Sequence, residues 1–186
     1  IVAETLSLAK DAAEEIDIDY DPLPAVTDTH LATDDGMPQV WPEAKNNICY
    51  VWETGDQVAT STAFETAAHI VELRVVNNRV MVAALEPRAA IGQWDGHRYT
   101  LYAPTQGVHG MRRQLANHIF SLPEEKFRIV TPDVGGSFGM KNRLYPELPL
   151  VLLAAQELKR PVKWTADRSE SFLSDTQGRD QVNHAK

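Results

Sequence analysis

The sequence has little cysteine and no long hydrophobic run. Its 186 residues include one cysteine, Cys49, which excludes an internal disulfide and a cysteine-based zinc or iron–sulfur site and suits a reducing compartment. The longest apolar run, 148–155, is interrupted by Pro149 and is far shorter than the roughly 20 residues that a membrane-spanning helix needs. We therefore expect a globular, cytoplasmic chain without a membrane span.

Clustered positive charge and paired histidines are also missing. Residues 1–56 contain two basic residues against 13 acidic ones, a net charge of −11, and residues 57–186 have a net charge of +3 without a basic run. Because phosphate contacts need clustered cations, we predict no nucleic-acid partner. The six histidines form no His-x-x-x-His or His-Glu-x-x-His pair, so no metal site made of the chain's own side chains is predicted.

The pattern of apolar residues predicts an α+β fold with mixed sheets and packed helices. The segments predicted as helices are 3–15, 56–68, 107–120 and 146–158. On the third helix, Val108, Met111, Leu115 and His118 are predicted to share one face. The segments predicted as strands are 16–20, 69–76, 79–93, 97–102, 127–130 and 162–165, with a turn at Asn77-Asn78 between the second and the third.

The order of these elements predicts a partial multidomain fragment. Residues 1–26 give a helix, a strand and a proline-rich stop, which is typical of the end of a domain. The stretch 27–55 is rich in turn residues and predicts a linker, although its aromatic residues indicate that it packs on something. Residues 56–186 then belong to a second domain.

The most informative segment is the glycine loop, residues 133–141, which follows a predicted strand. Three of the ten glycines, Gly135, Gly136 and Gly139, lie within five residues, which predicts positive φ angles or a backbone that approaches a ligand closely. The spacing fits neither a P-loop nor a dinucleotide-binding fingerprint. Phe138 is a large aromatic residue between glycines, which is costly in an exposed turn and useful as a platform at a binding site.

Three other interpretations stay open. The loop is also compatible with a simple tight turn between a strand and a helix. It matches the Gly-x-Ser-x-Gly pattern of serine hydrolases with Ser137 as the nucleophile, and Asp167, Asp175 and His184 follow in the chain order that such an enzyme needs. The whole chain is also compatible with a non-catalytic interaction module.

Several motifs occur in an order that resembles one family. They are Val2–Thr5, Asp19–Val26, Leu85–Arg88, Pro104–Gln106, Gly135–Lys141, Arg160–Lys163, Asp167–Glu170 and Gly178-Arg179. Together they resemble the molybdenum hydroxylase large subunit, the family of xanthine dehydrogenase, aldehyde oxidase and aerobic carbon monoxide dehydrogenase. The resemblance implies that residues 1–26 are the C-terminal end of an α/β hammerhead domain and that 56–186 are the first part of a molybdopterin-binding domain.

The resemblance also implies which residues contact the molybdenum cofactor. The expected cofactor-binding residues are Gln106, Gly136, Ser137, Phe138 and Gly139. Asn142 stands where purine-oxidising members of the family carry a glutamate, which favours a carbon monoxide dehydrogenase-like or aldehyde-oxidising member. The catalytic glutamate of the family lies near the end of a much longer chain, so no catalytic residue is expected in this one.

The cofactors and partners expected for the intact enzyme follow from the same resemblance. The family hydroxylates a substrate carbon of a small molecule with oxygen derived from water, using a molybdopterin-type molybdenum cofactor. Electrons leave through [2Fe–2S] clusters and FAD, carried by an iron–sulfur small subunit and an FAD-binding medium subunit. We therefore expect this chain to be a fragment that is inactive by itself and binds no cofactor tightly.

Overall fold

The computed structural model describes residues 1–186 and divides them into two compact units. The first unit comprises Ile1–Asp17 and Met81–Gln177, and the second comprises Ile18–Val80 and Gly178–Lys186. In chain order the elements are α1 (Leu6–Glu14), α2 (Gln57–Thr66), β1 (Leu73–Asn77), β2 (Ala89–Trp94), β3 (Tyr99–Tyr102), α3 (Val108–Gln114), β4 (Phe127–Val130), α4 (Glu147–Leu158), β5 (Val162–Thr165), α5 (Arg168–Ser174) and β6 (Gln181–Ala185). None of the helices has both the length and the apolarity that crossing a membrane requires.

A four-stranded mixed sheet forms the centre of the first unit. Its strand order is β4-β3-β2-β5, in which β3 and β4 are parallel and the other two pairs are antiparallel. In the middle of the sheet, Leu101 lies opposite Gly92 on β2 and Ile129 on β4, and it is fully buried. The predicted α+β class with a mixed sheet is confirmed.

The helix α4 covers this sheet at β2. The helix is rich in leucine and starts directly after Pro146, whose fixed φ suits a helix start. It buries Leu152 and Ala155 completely. A Cβ at Gly92 would overlap the backbone of Val151, so the glycine allows the helix backbone to lie directly on β2. The predicted helix 146–158 is confirmed.

The helix α3 continues as a π-helix over Leu115–Phe120 and packs on the same core. Met111 and Leu115 are buried, as the sequence predicts, and Val108 is partly buried. His118, predicted to lie on the same face, is exposed instead. The wider turn of the π-helix changes the spacing of the residues after Leu115, so that Ala116 is buried and Phe120 packs on the core while His118 does not.

A two-stranded antiparallel sheet connects distant parts of the second unit. In this sheet β1 pairs with β6, and Val80 forms a further bridge with Gly178. The helix α2 belongs to the same unit. Asp56 caps it by accepting a hydrogen bond from the Ala59 N–H at 2.9 Å. The predicted helix 56–68 is therefore confirmed, with slightly shorter bounds.

Two of the strand predictions are wrong. Residues 16–20 alternate apolar and polar side chains but form no strand, because no other segment pairs with them. The hairpin across Asn77-Asn78 is also absent, since the partner of β1 is β6. Of the segment 79–93, only residues 89–93 form a regular strand, and that strand continues to Trp94. Alternation indicates that a segment suits a ladder, but it does not identify the partner.

Candidate functional site

The glycine loop lies in the first unit, follows β4 and ends within a 3-10 turn at Met140–Asn142. Gly136 and Gly139 have φ angles of 98° and 94°, as the sequence predicts. Phe138 also has a positive φ, 49°, although it is not a glycine. Its side chain is 80% exposed, so packing does not explain this conformation. Backbone strain of this kind is typical of binding sites.

The amide hydrogens of the loop fall into two groups. Those of Gly139, Met140 and Lys141 donate to Gln106 Oε1, Ser137 O and Ser137 Oγ at 3.0, 2.9 and 3.2 Å. The three consecutive N–H groups of Gly136, Ser137 and Phe138 donate no hydrogen bond within the chain. Successive free N–H groups are typical of a backbone that binds an anionic or oxo group.

Gln106 lies against the loop, as expected for a neighbour of the site. Its Oε1 accepts the hydrogen bond from Gly139 N–H, and its own N–H donates to the Lys141 carbonyl at 3.4 Å. The adjacent Thr105 donates its hydroxyl to the same carbonyl at 3.0 Å. The Nε2 group of Gln106 donates no hydrogen bond within the chain, so a further donor is available beside the loop.

The hydroxyl of Ser137 has a structural role. The residue is buried, and Ser137 Oγ accepts the N–H of Lys141. Of the acids proposed for a hydrolase, Asp167 caps α5 and Asp175 pairs with Arg88 at 2.5 Å. No histidine is hydrogen-bonded to Ser137, and a serine nucleophile needs such a base. The geometry therefore does not support the serine hydrolase.

Glu86 holds the start of the loop in place; the sequence places it in the motif Leu85–Arg88 but does not single it out as a site residue. Its backbone N–H donates to the Gly135 carbonyl at 3.1 Å, and its carboxylate Oε2 accepts the Gly135 N–H at 2.9 Å. The same oxygen lies 2.6 Å from Lys141 Nζ. A Cβ at Gly135 would be 2.6 Å from the Cβ of Glu86, so this position requires glycine.

The electrostatics around Glu86 favour its charged form. Partial burial acts to raise the pKa of Glu86, but the hydrogen bonds from Lys141 and Gly135 and the charge of Lys141 outweigh it. The pKa of this carboxyl therefore lies below its ordinary value.

A buried cation, Arg88, anchors the segment that carries Glu86. Its guanidinium pairs with Asp175 at 2.5 Å and with Glu147 at 2.7 Å, and it lies 3.8 Å from the centre of the Tyr145 ring. Burial acts to lower the pKa of Arg88, but the bonds and charges of these two carboxylates raise it above its ordinary value. The paired charges fix the segment against α4 and the end of α5.

The underside of the loop rests on a tyrosine. Tyr145 donates its hydroxyl to the Met140 carbonyl at 3.1 Å and packs with Ala84 and Met140 in a small buried cluster.

Two clefts of the first unit, with volumes of about 330 and 180 Å³, are lined by residues outside the glycine loop. Within the loop the Phe138 ring is exposed, Gly136 is partly exposed and Ser137 is buried.

Comparison with known proteins identifies the family. Residues 40–186 match the family described as the molybdopterin cofactor-binding domain. The chain is 36% identical to the 6-hydroxypseudooxynicotine dehydrogenase complex subunit gamma of Paenarthrobacter nicotinovorans, over 95% of this chain and 22% of that protein. It is 31% identical to the carbon monoxide dehydrogenase large chain of Hydrogenophaga pseudoflava, over 97% of this chain and 24% of that protein.

A solved structure agrees with these relatives. The reconstituted carbon monoxide dehydrogenase from Oligotropha carboxidovorans superimposes with a TM-score of 0.86 at 28% identity, over 94% of this chain and 23% of that one. The chain thus spans less than a quarter of the length of these proteins. Its fold and the family match define a cofactor-binding domain. The chain belongs to the molybdopterin cofactor-binding domain family, and the resemblance found in the sequence is confirmed.

The residues present fit the cofactor that this family binds. A pterin-held metal centre offers oxo and other anionic atoms, which need hydrogen-bond donors from the protein. The free N–H groups of Gly136, Ser137 and Phe138 and the free amide of Gln106 are such donors. The chain has no group of three or more His, Cys, Asp or Glu residues placed to hold a metal ion directly.

Proposed function

We propose that this chain forms part of the molybdenum-cofactor site in the large subunit of an oxidoreductase that hydroxylates a substrate carbon with oxygen from water. The observation that carries the proposal is the row of three free N–H groups at Gly136, Ser137 and Phe138, beside the free amide of Gln106. The membership of the family supports the assignment to molybdopterin. The dehydrogenase names of the relatives support the oxidoreductase.

Each proposed site residue has a distinct task. The N–H groups of Gly136, Ser137 and Phe138 donate to the cofactor, and Gly139 turns the chain so that Gln106 lies alongside. The exposed ring of Phe138 forms a wall of the site and excludes water from it. When bound, the cofactor supplies a molybdenum centre that accepts electrons from the substrate.

The substrate is proposed to be an aldehyde or carbon monoxide rather than a purine. The argument rests on Asn142, which replaces the glutamate of purine-oxidising members. Asn142 is exposed, and its Oδ1 lies near Gly107, 3.2 Å from where a Cβ would be. An amide at this position cannot supply the negative charge of a carboxylate.

Companion proteins complete the proposed enzyme. We propose an FAD-binding medium subunit and an iron–sulfur small subunit with [2Fe–2S] clusters, in the cytoplasm. The relatives named as a complex subunit and as a large chain support such an assembly. Within this chain, residues 1–26 would belong to the hammerhead domain, 27–55 to a linker and 56–186 to the molybdopterin-binding domain. Alone, the chain is proposed to be inactive and to bind no cofactor tightly.

The test is the replacement of Phe138 by alanine in the large subunit that carries this sequence, purified with its partners. We expect turnover to fall at least tenfold while expression and thermal stability stay unchanged, because the ring is exposed and holds no part of the core. Phe172→Ala is the matched control, since Phe172 is also exposed but lies on α5. Equal turnover in both variants would remove the loop from the site. A wild-type subunit without molybdenum would favour the interaction module.

A further inference from the structure

Lys141 carries a buried positive charge directly beside the glycine loop. Its side chain is only 1% exposed, and its Nζ lies 2.6 Å from Glu86 Oε2. A buried ammonium group is costly unless it is paired and hydrogen-bonded. Glu86 is the only carboxylate paired with Lys141 in the chain, so the burial of this lysine depends on Glu86.

Glu86 joins the two ends of the loop through a single oxygen atom. Oε2 accepts both the Gly135 N–H, at 2.9 Å, and the Lys141 ammonium group, at 2.6 Å. The residues between Gly135 and Lys141 include Gly136, Ser137 and Phe138, which carry the three free N–H groups. The carboxylate therefore links the two ends of the loop, and we call the contact of Glu86 with Gly135 and Lys141 the clamp. Phe138, with its strained φ, lies between these two ends.

The clamp also reaches Gln106 through the backbone of Lys141. The Lys141 carbonyl accepts hydrogen bonds from the Thr105 hydroxyl and from the Gln106 N–H. A shift of Lys141 would therefore move Gln106 together with the end of the loop. The ion pair between Glu86 and Lys141 therefore affects the position of the free loop N–H groups relative to the Gln106 amide.

We propose that Glu86 is a positioning residue for the cofactor site: its ion pair with Lys141 holds the loop in the conformation that presents the free N–H groups. The inference rests on the proposed function, because it assigns the purpose of the clamp to cofactor contact. Glu86 itself is not proposed to touch the cofactor or the substrate.

The first experiment measures amide hydrogen exchange in the 186-residue chain, where no cofactor is needed. Glu86→Gln keeps an oxygen that can accept the Gly135 N–H but loses the charge that pairs with Lys141. We expect the amides of Gly139, Met140 and Lys141 to exchange at least tenfold faster, while the amides of β3 stay unchanged. Unchanged loop amides, or equal acceleration in β3, would overturn the proposal.

Glu124→Gln is the matched control for the exchange experiment. Glu124 forms an ion pair with Arg112 at 2.9 Å, and its side chain is 36% exposed, against 37% for Glu86. The control removes one ion pair with an equally exposed carboxylate at a different place in the first unit, where the cation, Arg112, is 39% exposed instead of buried. If it accelerates the loop amides as strongly as Glu86→Gln does, the effect does not come from the clamp and the proposal fails.

A double variant keeps the test decisive if Glu86→Gln does not fold with an unpaired buried lysine. Glu86→Gln combined with Lys141→Met removes both charges and leaves no buried ion without a partner. If the ion pair holds the loop, the loop amides of the double variant exchange at least tenfold faster than in the wild-type chain, while the amides of β3 stay unchanged. Loop amides that exchange in the double variant as slowly as in the wild-type chain would overturn the proposal.

The second experiment uses the cofactor-loaded large subunit. We expect Glu86→Gln to lower kcat at least fivefold with KM within twofold, and to alter the electron paramagnetic resonance spectrum of the molybdenum centre. An unaltered spectrum with faster loop exchange would overturn the link between clamp and cofactor. A wild-type subunit that contains no molybdenum would contradict the proposed function itself, while the exchange results would still decide whether the clamp exists.

Discussion

At the scale of single residues, the conformation of Phe138 is the feature that packing does not explain. A non-glycine residue in the left-handed region costs about 1–2 kcal/mol, and the φ of Phe138 is 49°. The exposed side chain recovers little of this cost by burial. Glycine would adopt the same conformation without strain. The phenyl ring is therefore retained at the expense of stability, as expected for a residue that contacts a ligand.

The strain at Phe138 predicts that a glycine stabilises the chain. We expect Phe138→Gly to raise the free energy of unfolding by about 0.5–1 kcal/mol, because relief of the strain exceeds the entropy cost of the glycine. Phe138→Ala keeps the Cβ and serves as the control, with a change close to zero. Urea denaturation followed by circular dichroism measures both. A glycine variant less stable than the alanine variant would show that the conformation is not strained.

The functional residues differ in how far the sequence predicts them. The glycine spacing predicts positive φ angles at Gly136 and Gly139, and both are observed. The nearness of Gln106 to the loop follows only from the family resemblance, because 33 residues separate it from Gly139. Glu86 lies in a motif that the sequence shows, but its contact with the loop was not predicted, because its bonds to Gly135 and Lys141 depend on tertiary packing, which local patterns do not report.

At the scale of elements, α5 supports the site from outside the loop. Its N-terminus has a capping box, in which Asp167 accepts the Glu170 N–H at 2.7 Å and Glu170 accepts the Asp167 N–H at 3.3 Å. Arg168, the first residue of the helix, donates to the carbonyls of Ala84 and Leu85 at 2.8 and 2.9 Å. The cap thereby helps to hold the segment that leads into Glu86.

Removal of this cap is expected to weaken the first unit. Asp167→Ala should lower its free energy of unfolding by about 1 kcal/mol, since both reciprocal hydrogen bonds are lost. Asp56→Ala removes the cap of α2, which contains no buried residue, and should leave the first unit unchanged. Hydrogen exchange of the β3 amides distinguishes the two variants. An equal effect on β3 would contradict a local role for the cap at Asp167.

Elements were predictable where a local pattern and the core agree. The segments that form β3, β4, β5 and α4 each have a pattern of apolar residues along adjacent positions that predicts the element, and each packs in the buried core of the first unit. The capping box of α5 was a usable signal that the sequence analysis did not exploit. By contrast, about 100 residues of chain separate β1 from β6. No short turn joins the two strands, so the local sequence does not predict that they pair with each other.

At the scale of the whole molecule, the chain contains one substantial core, and it lies in the first unit. All buried residues of its main cluster fall between Ala90 and Val162. The helix α1 belongs to the same unit but contains no buried residue. One exposed ion pair, between Glu4 and Arg160 at 3.6 Å, involves the segment 1–17. Such a pair contributes little to stability.

This distribution predicts that residues 81–177 fold as an independent chain. We expect a single cooperative urea transition and the dispersed amide spectrum of a folded protein, because the sheet, α3, α4 and α5 are all included. The 186-residue chain is the reference for the exchange rates of the β3 amides. A shortened chain without a cooperative transition would show that the core needs residues of the other segments.

The pairing of β1 with β6 has a consequence for folding during synthesis. The ribosome releases residues 73–77 long before 181–185, so the two-stranded sheet of the second unit closes only after the last strand has emerged. In the interval the complete core of the first unit is available to fold. The hydrogen bonds between Val80 and Gly178 then form next to the new sheet. The second unit is therefore the later of the two units to complete its hydrogen bonding during synthesis.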